Sequence, residues 1–462
     1  MKKPLVLGIA GSNRSKADIK KLIEIITSAE SYSEMKKEVN KLAKLKKVSN
    51  TDCILTSALF GAYKYGAEIE ILKLRDILPP YEPFDINDIK NKEELNDIFE
   101  EADGICISTP VYFGDKSSYI NSFLNIIKNT YGDLALDGKV VGVISCGAKR
   151  NGGQETTNIY TIYDCLQMGA IVVSNGSPTS QYGGTAWAGD AGVASEDDFG
   201  MATSFGTGRN IARVLRLLHY GDDKIKLRIG VIITSDTRNN TLKKYLYSIL
   251  DSFIINNNYK FKFIDLTKYK LNRCKACTKC PIHDDNCKSD LNTIRQYGCL
   301  INDDLMEIHN EIINCDALLI TGCSLPSNEN VINVYQVFVE RLRFVRRDNY
   351  QLVYTPFMTI SLEHYLARSI FHLRAITSFI RHNMIVIGPP ITSIIFKNNI
   401  LNDEFSYDKI SRFLNISSKI VSSKVKFNIT GDDYIAIGYG DFEGKVSDDL
   451  FKTRVSNGNW FK

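Results

Sequence analysis

Four cysteines of the 462-residue chain fall within fourteen residues, in the run Cys274-Lys275-Ala276-Cys277-Thr278-Lys279-Cys280-Pro281 followed by Cys287. Thiolates two residues apart on a short loop face one another and converge on a metal. An iron–sulfur cluster takes four such ligands, and so does structural zinc. The spacing leaves both open and favours Cys287 as the fourth ligand. The chain has eleven cysteines in all. An odd number scattered over a large chain argues against a disulfide framework. The cysteines outside the run lie in apolar segments, where they behave as small hydrophobes.

A second kind of chemistry is written into three loops of the first half. The first joins Gly11-Ser12-Asn13-Arg14 to Ser49-Asn50-Thr51. Glycine lets the backbone approach an anion, hydroxyls donate, and a helix N-terminus favours negative charge, so this is a candidate phosphate site. It lacks the Lys-Ser/Thr ending of a nucleoside triphosphate loop. The second is Thr109-Pro110-Val111-Tyr112-Phe113-Gly114, an aromatic pair on a turn that can pack against a flat ring. Taken alone it also reads as a tight turn with two core aromatics. The third is Cys146-Gly147-Ala148-Lys149-Arg150-Asn151-Gly152-Gly153-Gln154. Its exposed N–H groups and two cations suit the negative charge that builds on a reduced flavin.

The elements that must carry these loops form a weak internal repeat. The strand Leu5 to Ala10 runs into the first loop, and Ile229 to Ile233 runs into Ser235 to Thr241, with Leu242, Leu246 and Leu250 on one face of the helix that follows. Each half then has an acidic helix, an alanine-flanked Asp and a strand, at Gly104 to Ser108 and at Leu318 to Thr321. Strands alternating with helices imply right-handed crossovers, and the fold class expected is α/β with two tandem, doubly wound parallel sheets covered by helices on both faces. The polar segment from His219 to Lys224 marks the boundary, giving domains of 1–222 and 223–462. Between Arg14 and Ser49 lies a charged helical insert of about 15–48, with Lys36, Lys37, Lys41, Lys44, Lys46 and Lys47. It reads either as a solvated helical face or as a lid or docking surface for an acidic redox partner. On the insertion reading, its excision should leave a folded, flavin-binding protein.

At the three loops the first half resembles the NADPH-dependent FMN reductase group of flavodoxin-like proteins, and within it the iron–sulfur flavoproteins of anaerobes. The likeness extends to Tyr182-Gly183-Gly184-Thr185-Ala186-Trp187 and to a closing helix through Arg209 and Arg213. The resemblance implies that Ser12, Arg14, Ser49, Asn50 and Thr51 hold the FMN phosphate. It further implies that Pro110, Val111, Tyr112, Phe113 and Gly114, with Gly147, Asn151, Gly152, Gly153 and Gln154, hold the isoalloxazine. It favours a [4Fe–4S] cluster over zinc on Cys274, Cys277, Cys280 and a fourth cysteine. In that family the last cysteine precedes an apolar residue and aspartates, which makes Cys299, before Leu300-Ile301-Asn302-Asp303-Asp304, the rival of Cys287. The second half keeps a phosphate-type loop but has Ser361-Leu362-Glu363-His364 where the glycine-rich loop stood, so a second FMN is doubtful. Arg341, Arg343, Arg346 and Arg347 match a basic helix of the family and read as surface or interface residues. His364 and His372 read as ordinary helix residues.

The function expected is an FMN-dependent oxidoreductase passing electrons between NAD(P)H or ferredoxin and an acceptor. The alternatives are a redox-sensing or assembly protein with a structural cluster, and a zinc-stabilised FMN reductase with a non-catalytic second domain. No catalytic acid or base stands out, so the chemistry would be the cofactor's. A net charge of +4 over this length gives no case for nucleic acid. No apolar stretch approaches the roughly 18 residues that span a bilayer, and Met1 to Ala10 reads as a buried strand rather than a signal peptide. A cytoplasmic homo-oligomer with a small-molecule or ferredoxin-type partner is expected. The extension from about Phe427 carries no readable function.

Overall fold

The computed structural model describes residues 3–189, 192–255, 258–276, 299, 301–324, 331–347, 350–367, 369–397 and 399–431. They divide into two units, one ending at Arg216 and the next beginning at Leu217. Among the described residues no helix is long and apolar enough to cross a membrane.

The first unit runs β1 (Leu5–Ala10), α1 (Ile19–Ser28), α2 (Tyr32–Lys44), α3 (Asn50–Lys64), β2 (Glu68–Lys73), α4 (Leu74–Ile77), α5 (Lys92–Glu101), β3 (Gly104–Pro110), α6 (Ser118–Tyr131), β4 (Val140–Gly147), α7 (Gln154–Gln167), β5 (Ile171–Val172), β6 (Gly184–Trp187) and α8 (Asp198–Tyr220). Its strands are ordered β2-β1-β3-β4-β5, all parallel, with β6 alongside the far end of β4. Every residue of β1 and β4 is buried. That is the pattern of parallel strands covered on both faces. Helices α3 and α8 cross closely: a Cβ on Gly61 would lie 2.2 Å from the Phe205 carbonyl oxygen, and one on Gly208 1.7 Å from that of Ala58.

The second unit repeats the plan with β7 (Leu227–Ile233), β8 (Ser235–Thr237), α9 (Thr241–Ile254), β9 (Tyr259–Asp265), α10 (Leu305–Ile313), β10 (Ala317–Ser324), β11 (Val331–Asn333), α11 (Tyr335–Arg341), α12 (Arg343–Arg347), β12 (Pro356–His364), α13 (Phe371–Phe379), β13 (Ile385–Ile387), β14 (Ile391–Phe396), β15 (Asn399–Leu401) and α14 (Ser406–Lys426). The parallel order is β9-β7-β10-β12, with β13 and β14 successively along the outer edge of β12. This is the order of the first unit, and in both the last position is split between two short strands. Each is therefore a flavodoxin-like, doubly wound sheet.

The insert between Arg14 and Ser49 is a helical hairpin. Asp18 caps α1 by accepting the Lys20 N–H, and Ser31 caps α2 by accepting that of Glu34. Leu22, Ile25 and Ile26 of α1 and Met35, Val39 and Ala43 of α2 are buried, while Lys37, Lys41, Lys44, Lys46 and Lys47 are exposed. The lysine face is thus solvated, but the opposite face is core. The hairpin is tied to the segment leading into α8 and to its first residue by Ser195 donating to Asn40 (2.9 Å), by Lys44–Glu196 (3.0 Å) and by Lys36–Asp198. Tyr32 sets its ring edge-on against Phe205. Beneath it, α3 is buried from Thr51 to Ala62, on every side. Excision at 15–48 would remove one of the layers that bury α3, which argues against a freely removable insert.

Arg341 and Arg346, read from sequence as surface or interface residues, are buried at 2% and 6% exposure. Arg341 forms a two-pronged ion pair with Asp303 (2.8 and 3.1 Å) and donates to the Asn272 carbonyl (2.6 Å). Asp303 also accepts the Asn272 N–H (2.8 Å), and Asp304 that of Lys270 (2.7 Å). This clamp fastens residues 270–272 to 303–304, the two ends of the cysteine-rich stretch. Burial pushes the Asp303 carboxyl up, but Arg341 and the N–H groups of Asn272 and Leu305 outweigh it and hold it below the usual carboxylate range. His364 and His372 do not share a helix: the first ends β12 and the second lies in α13.

Met35→Ala should cost about 2–5 kcal/mol in urea unfolding, and excision of residues 15–48 should yield an insoluble or unfolded chain. Asp303→Asn leaves a buried guanidinium poorly paired, and should destabilise by about 3–5 kcal/mol at pH 7. Because the folded carboxyl titrates below its unfolded value, that difference is full above about pH 4 and shrinks as pH falls further. Parallel pH–stability curves for the two proteins check it.

Candidate flavin site

Ligands of open α/β sheets bind beyond the carboxyl ends of the strands, and the three loops of the first unit all lie there. Beyond β1, Gly11 N–H donates to Ser108 (2.9 Å). Ser12 is buried, and its Oγ accepts the Arg14 N–H (3.1 Å). The chain then leaves for the hairpin and returns at Ser49. Ser15 Oγ donates to Asp52 Oδ1 (2.8 Å), closing a gap of 37 residues, and both side chains are buried. Ser49 and Asp52 form a capping box at the start of α3, with bonds of 3.1 and 2.8 Å. Ser108 Oγ fixes the Thr51 carbonyl (2.9 Å). Burial raises the Asp52 pKa against the lowering effect of Ser49 and Ser15. Among the described residues, the N–H groups of Ser12, Asn13, Asn50 and Thr51 have no acceptor. Unfilled N–H groups in a loop and at a helix N-terminus are the donor set a phosphate requires. Arg14 is exposed at the rim. The Asn50 side chain is partly spent, its Oδ1 accepting the Ala194 N–H (2.9 Å).

The two ring loops meet each other. Val111 N–H donates to Cys146 (3.1 Å), and Tyr112 and Asp115 exchange two backbone bonds (2.9 and 3.0 Å). This puts Phe113 at φ +53° and Gly114 at φ +81°. Left-handed backbone is unusual for a bulky side chain, and Phe113 stands fully in solvent with Tyr112 half-exposed. Lys116, with its side chain 7% exposed, pins the turn through Asp164 (2.6 Å) and Asp115 (3.3 Å). Gly153 caps α7 at φ +98°. A Cβ there would lie 2.9 Å from the Gly114 Cα and 3.4 Å from Val111 Cγ1, so only glycine permits both the turn and the contact.

Gln154 differs from its expected role. Its buried side chain accepts the Gly152 N–H (2.9 Å) and donates to Lys149 (2.6 Å) and Ala186 (3.1 Å), so it shapes the loop from behind. Asn151 and Gly152 are exposed. Arg150 is engaged by Asp197 (3.0 Å) and lies over the Trp187 ring (5.3 Å). Asp197 in turn accepts the Trp187 N–H (2.7 Å). Sequence reasoning overlooked Ser15, Asp52, Ser108, Lys116 and Asp197. Only the Ser49–Asp52 box had a readable signal, a serine three residues before an acid.

The second unit fills the corresponding places with its own side chains. Asp236, 1% exposed, accepts the N–H groups of Thr237 (2.7 Å), Leu242 (2.8 Å) and Lys243 (3.0 Å). A carboxylate thus sits on the α9 N-terminus where a phosphate would bind. At the end of β12, His372 bonds to Thr359 (2.7 Å), Ser361 (3.1 Å) and Thr392 (2.9 Å), and Ser361 and Ser369 each donate to buried Glu363 (3.0 Å). Burial, with Lys409 nearby, takes His372 down to about 4, so the imidazole is neutral.

Of the expected metal ligands, Cys274 and Cys299 are described and are neither buried nor fully exposed. Cys299 lies close enough to the Arg341 guanidinium to act on it electrostatically. Cys277, Cys280 and Cys287 lie outside the described residues.

The NADPH-dependent FMN reductase family model matches residues 4–183. An iron–sulfur flavoprotein of Methanocaldococcus jannaschii is 33% identical over 179 residues, which cover 37% of this chain and 92% of that protein. The iron–sulfur flavoprotein of Methanosarcina thermophila is 36% identical over 141 residues, 29% of this chain and 68% of that protein. An NAD(P)H dehydrogenase (quinone) of Rhodopseudomonas palustris is 28% identical over 178 residues, 34% of this chain and 87% of that protein. With a relative 33% identical matched over 92% of its length, the chain belongs to the NADPH-dependent FMN reductase and iron–sulfur flavoprotein family of flavin oxidoreductases.

Proposed function

We propose that this protein passes electrons between NAD(P)H or a ferredoxin-type carrier and an acceptor, using one FMN in the first unit and a [4Fe–4S] cluster on cysteines of the second. The observation that carries the flavin assignment is the set of unfilled N–H groups at Ser12, Asn13, Asn50 and Thr51, beside two ring loops locked together at Gly153 and Gly114. FMN, when bound, supplies the exchange between two-electron donors and one-electron acceptors. The chain's part is to hold it. Ser12, Thr51 and the start of α3 take the phosphate, with Arg14 adding charge at the rim. Tyr112 and Phe113 offer apolar surface, and the backbone of 147–153, whose Gly152 N–H is held by Gln154, borders the ring edge. The filled N-terminus of α9 supports a stoichiometry of one.

For the cluster, the supporting features are the thiol donor set and the clamp that joins the ends of its segment. The clamp holds Asn272, two residues after which Cys274 stands, against Asp303, four residues after Cys299, and this favours Cys299 as the fourth ligand over Cys287. Residues of the lysine face on α2 suit an acidic protein partner by charge.

Anaerobically purified protein should contain one FMN per chain. Gly153→Val, which forces apart the two ring loops, should lower FMN affinity at least roughly tenfold. A variant with full flavin content would move the site elsewhere. Cys277→Ser should abolish the cluster's visible absorption and paramagnetic signal with FMN retained. Cys299→Ser should do the same and Cys287→Ser should not. Stoichiometric zinc without iron after anaerobic reconstitution would replace the electron-transfer reading with a zinc-stabilised reductase.

A further inference from the structure

We infer that Arg75 is the positioning residue that holds the phosphate loop in its anion-accepting form, an inference that rests on the assignment of residues 11–15 and Ser49 to Thr51 as the FMN phosphate site. Alternate carbonyls of this loop are each held by a side chain from another part of the chain. Gly11 C=O accepts from Ser117 Oγ (2.7 Å), Asn13 C=O from Arg75 Nη1 (2.6 Å), Ser15 C=O from the same Nη1 (3.1 Å), and Ala17 C=O from Lys73 Nζ (2.8 Å). In a trans peptide the C=O of one residue and the N–H of the next point in opposite directions. Drawing the Asn13 carbonyl toward Arg75 therefore turns the Arg14 N–H away from it, onto Ser12 Oγ. A hydroxyl that accepts this bond keeps its own proton for an outside acceptor. Holding the Gly11 carbonyl does the same for the Ser12 N–H. The loop's acceptors are thus tied back and its donors left forward, which is what an anion needs.

The fold delivers Arg75 to this place. β2 is the edge strand and pairs with β1 in the register Ala10↔Lys73, so Arg75, two residues on, stands beside the loop as it leaves β1. Asp76 steadies both cations, at 2.8 Å from Lys73 and 3.6 Å from Arg75. The guanidinium is planar and bonds two carbonyls from one nitrogen, which a lysine ammonium at that distance would reproduce poorly.

The test compares FMN with riboflavin, which lacks the phosphate, on apo-protein by flavin fluorescence quenching. Arg75→Ala should weaken FMN binding roughly tenfold or more and riboflavin binding less than about twofold. Arg75→Lys should fall between. Loss of both ligands alike, or of neither, would overturn the role. Thr51→Val, at the start of α3, serves as the control for the site. If it weakens FMN selectively while Arg75→Ala does not, the site stands and Arg75 has no part in it. If wild-type protein binds FMN and riboflavin equally, the phosphate assignment itself fails. Thermal unfolding of the apo-variants detects loss of fold. Should Arg75→Ala not fold, Arg75→Lys decides: an unchanged ratio of FMN to riboflavin affinity would sink the inference.

Discussion

A helix that follows the first strand of a parallel sheet points its N-terminus at the carboxyl edge, and its first N–H groups have no partner within the helix. The architecture of both units turns on how that need is met. In the second unit Asp236 meets it internally, and the site is closed by a carboxylate with three N–H bonds. In the first unit the Ser49–Asp52 box satisfies the N–H groups of Ser49 and Asp52 and leaves those of Asn50 and Thr51 open. The same fold, with the same strand order, therefore yields one unit with an open helix N-terminus and one in which it is closed. On the proposed assignment, the partial positive charge of α3 favours an anion at the first, and the Asp236 carboxylate disfavours one at the second.

Keeping that site in one piece across a hairpin of more than thirty residues requires a covalently distant contact. Ser15, where the insertion begins, and Asp52, just after it ends, supply it in a buried setting where the hydrogen bond is strong and its loss costly. The hairpin contributes more than connection. Leu22, Ile25, Ile26, Met35 and Val39 are buried, each by about 1.5–3 kcal/mol of transfer free energy. The insertion has become a layer of the domain, and its lysines are what remains on the outside. The fold of the first unit and the integrity of its site are in this way coupled through α3.

The cysteine-rich stretch is organised from its ends. Arg341 and Asp303 are both almost fully withdrawn from water, and a buried guanidinium with a two-pronged carboxylate is tolerated only where geometry is fixed. Fixing it here holds Asn272, just before Cys274, against Asp303, just after Cys299. A cluster assembled on that frame would gain from a closed loop rather than from a free strand, because the entropy of joining its ends is already spent in folding.

The sequence by itself determined the two doubly wound units, because buried parallel strands read as short apolar runs, and the capping and glycine signals around them are local. It also singled out the loops that the structure gathers at the carboxyl ends of the strands, since glycine at Gly153, the aromatic pair at Tyr112 and Phe113, and the hydroxyls at Ser49 and Thr51 are properties of residue type and spacing. It misjudged Arg341 and Arg346 because nothing local says which charged side chain will find a buried partner; the Asp303 that holds Arg341 is 38 residues away. It took the hairpin for removable because amphipathic helices look alike whether their apolar face meets a domain or another helix. It could not see that Gln154 works from behind its loop or that Asp236 occupies the second anion site, since both depend on the direction of a side chain relative to backbone N–H groups. Those directions are set by packing between segments distant in the chain, and only the tertiary structure fixes them.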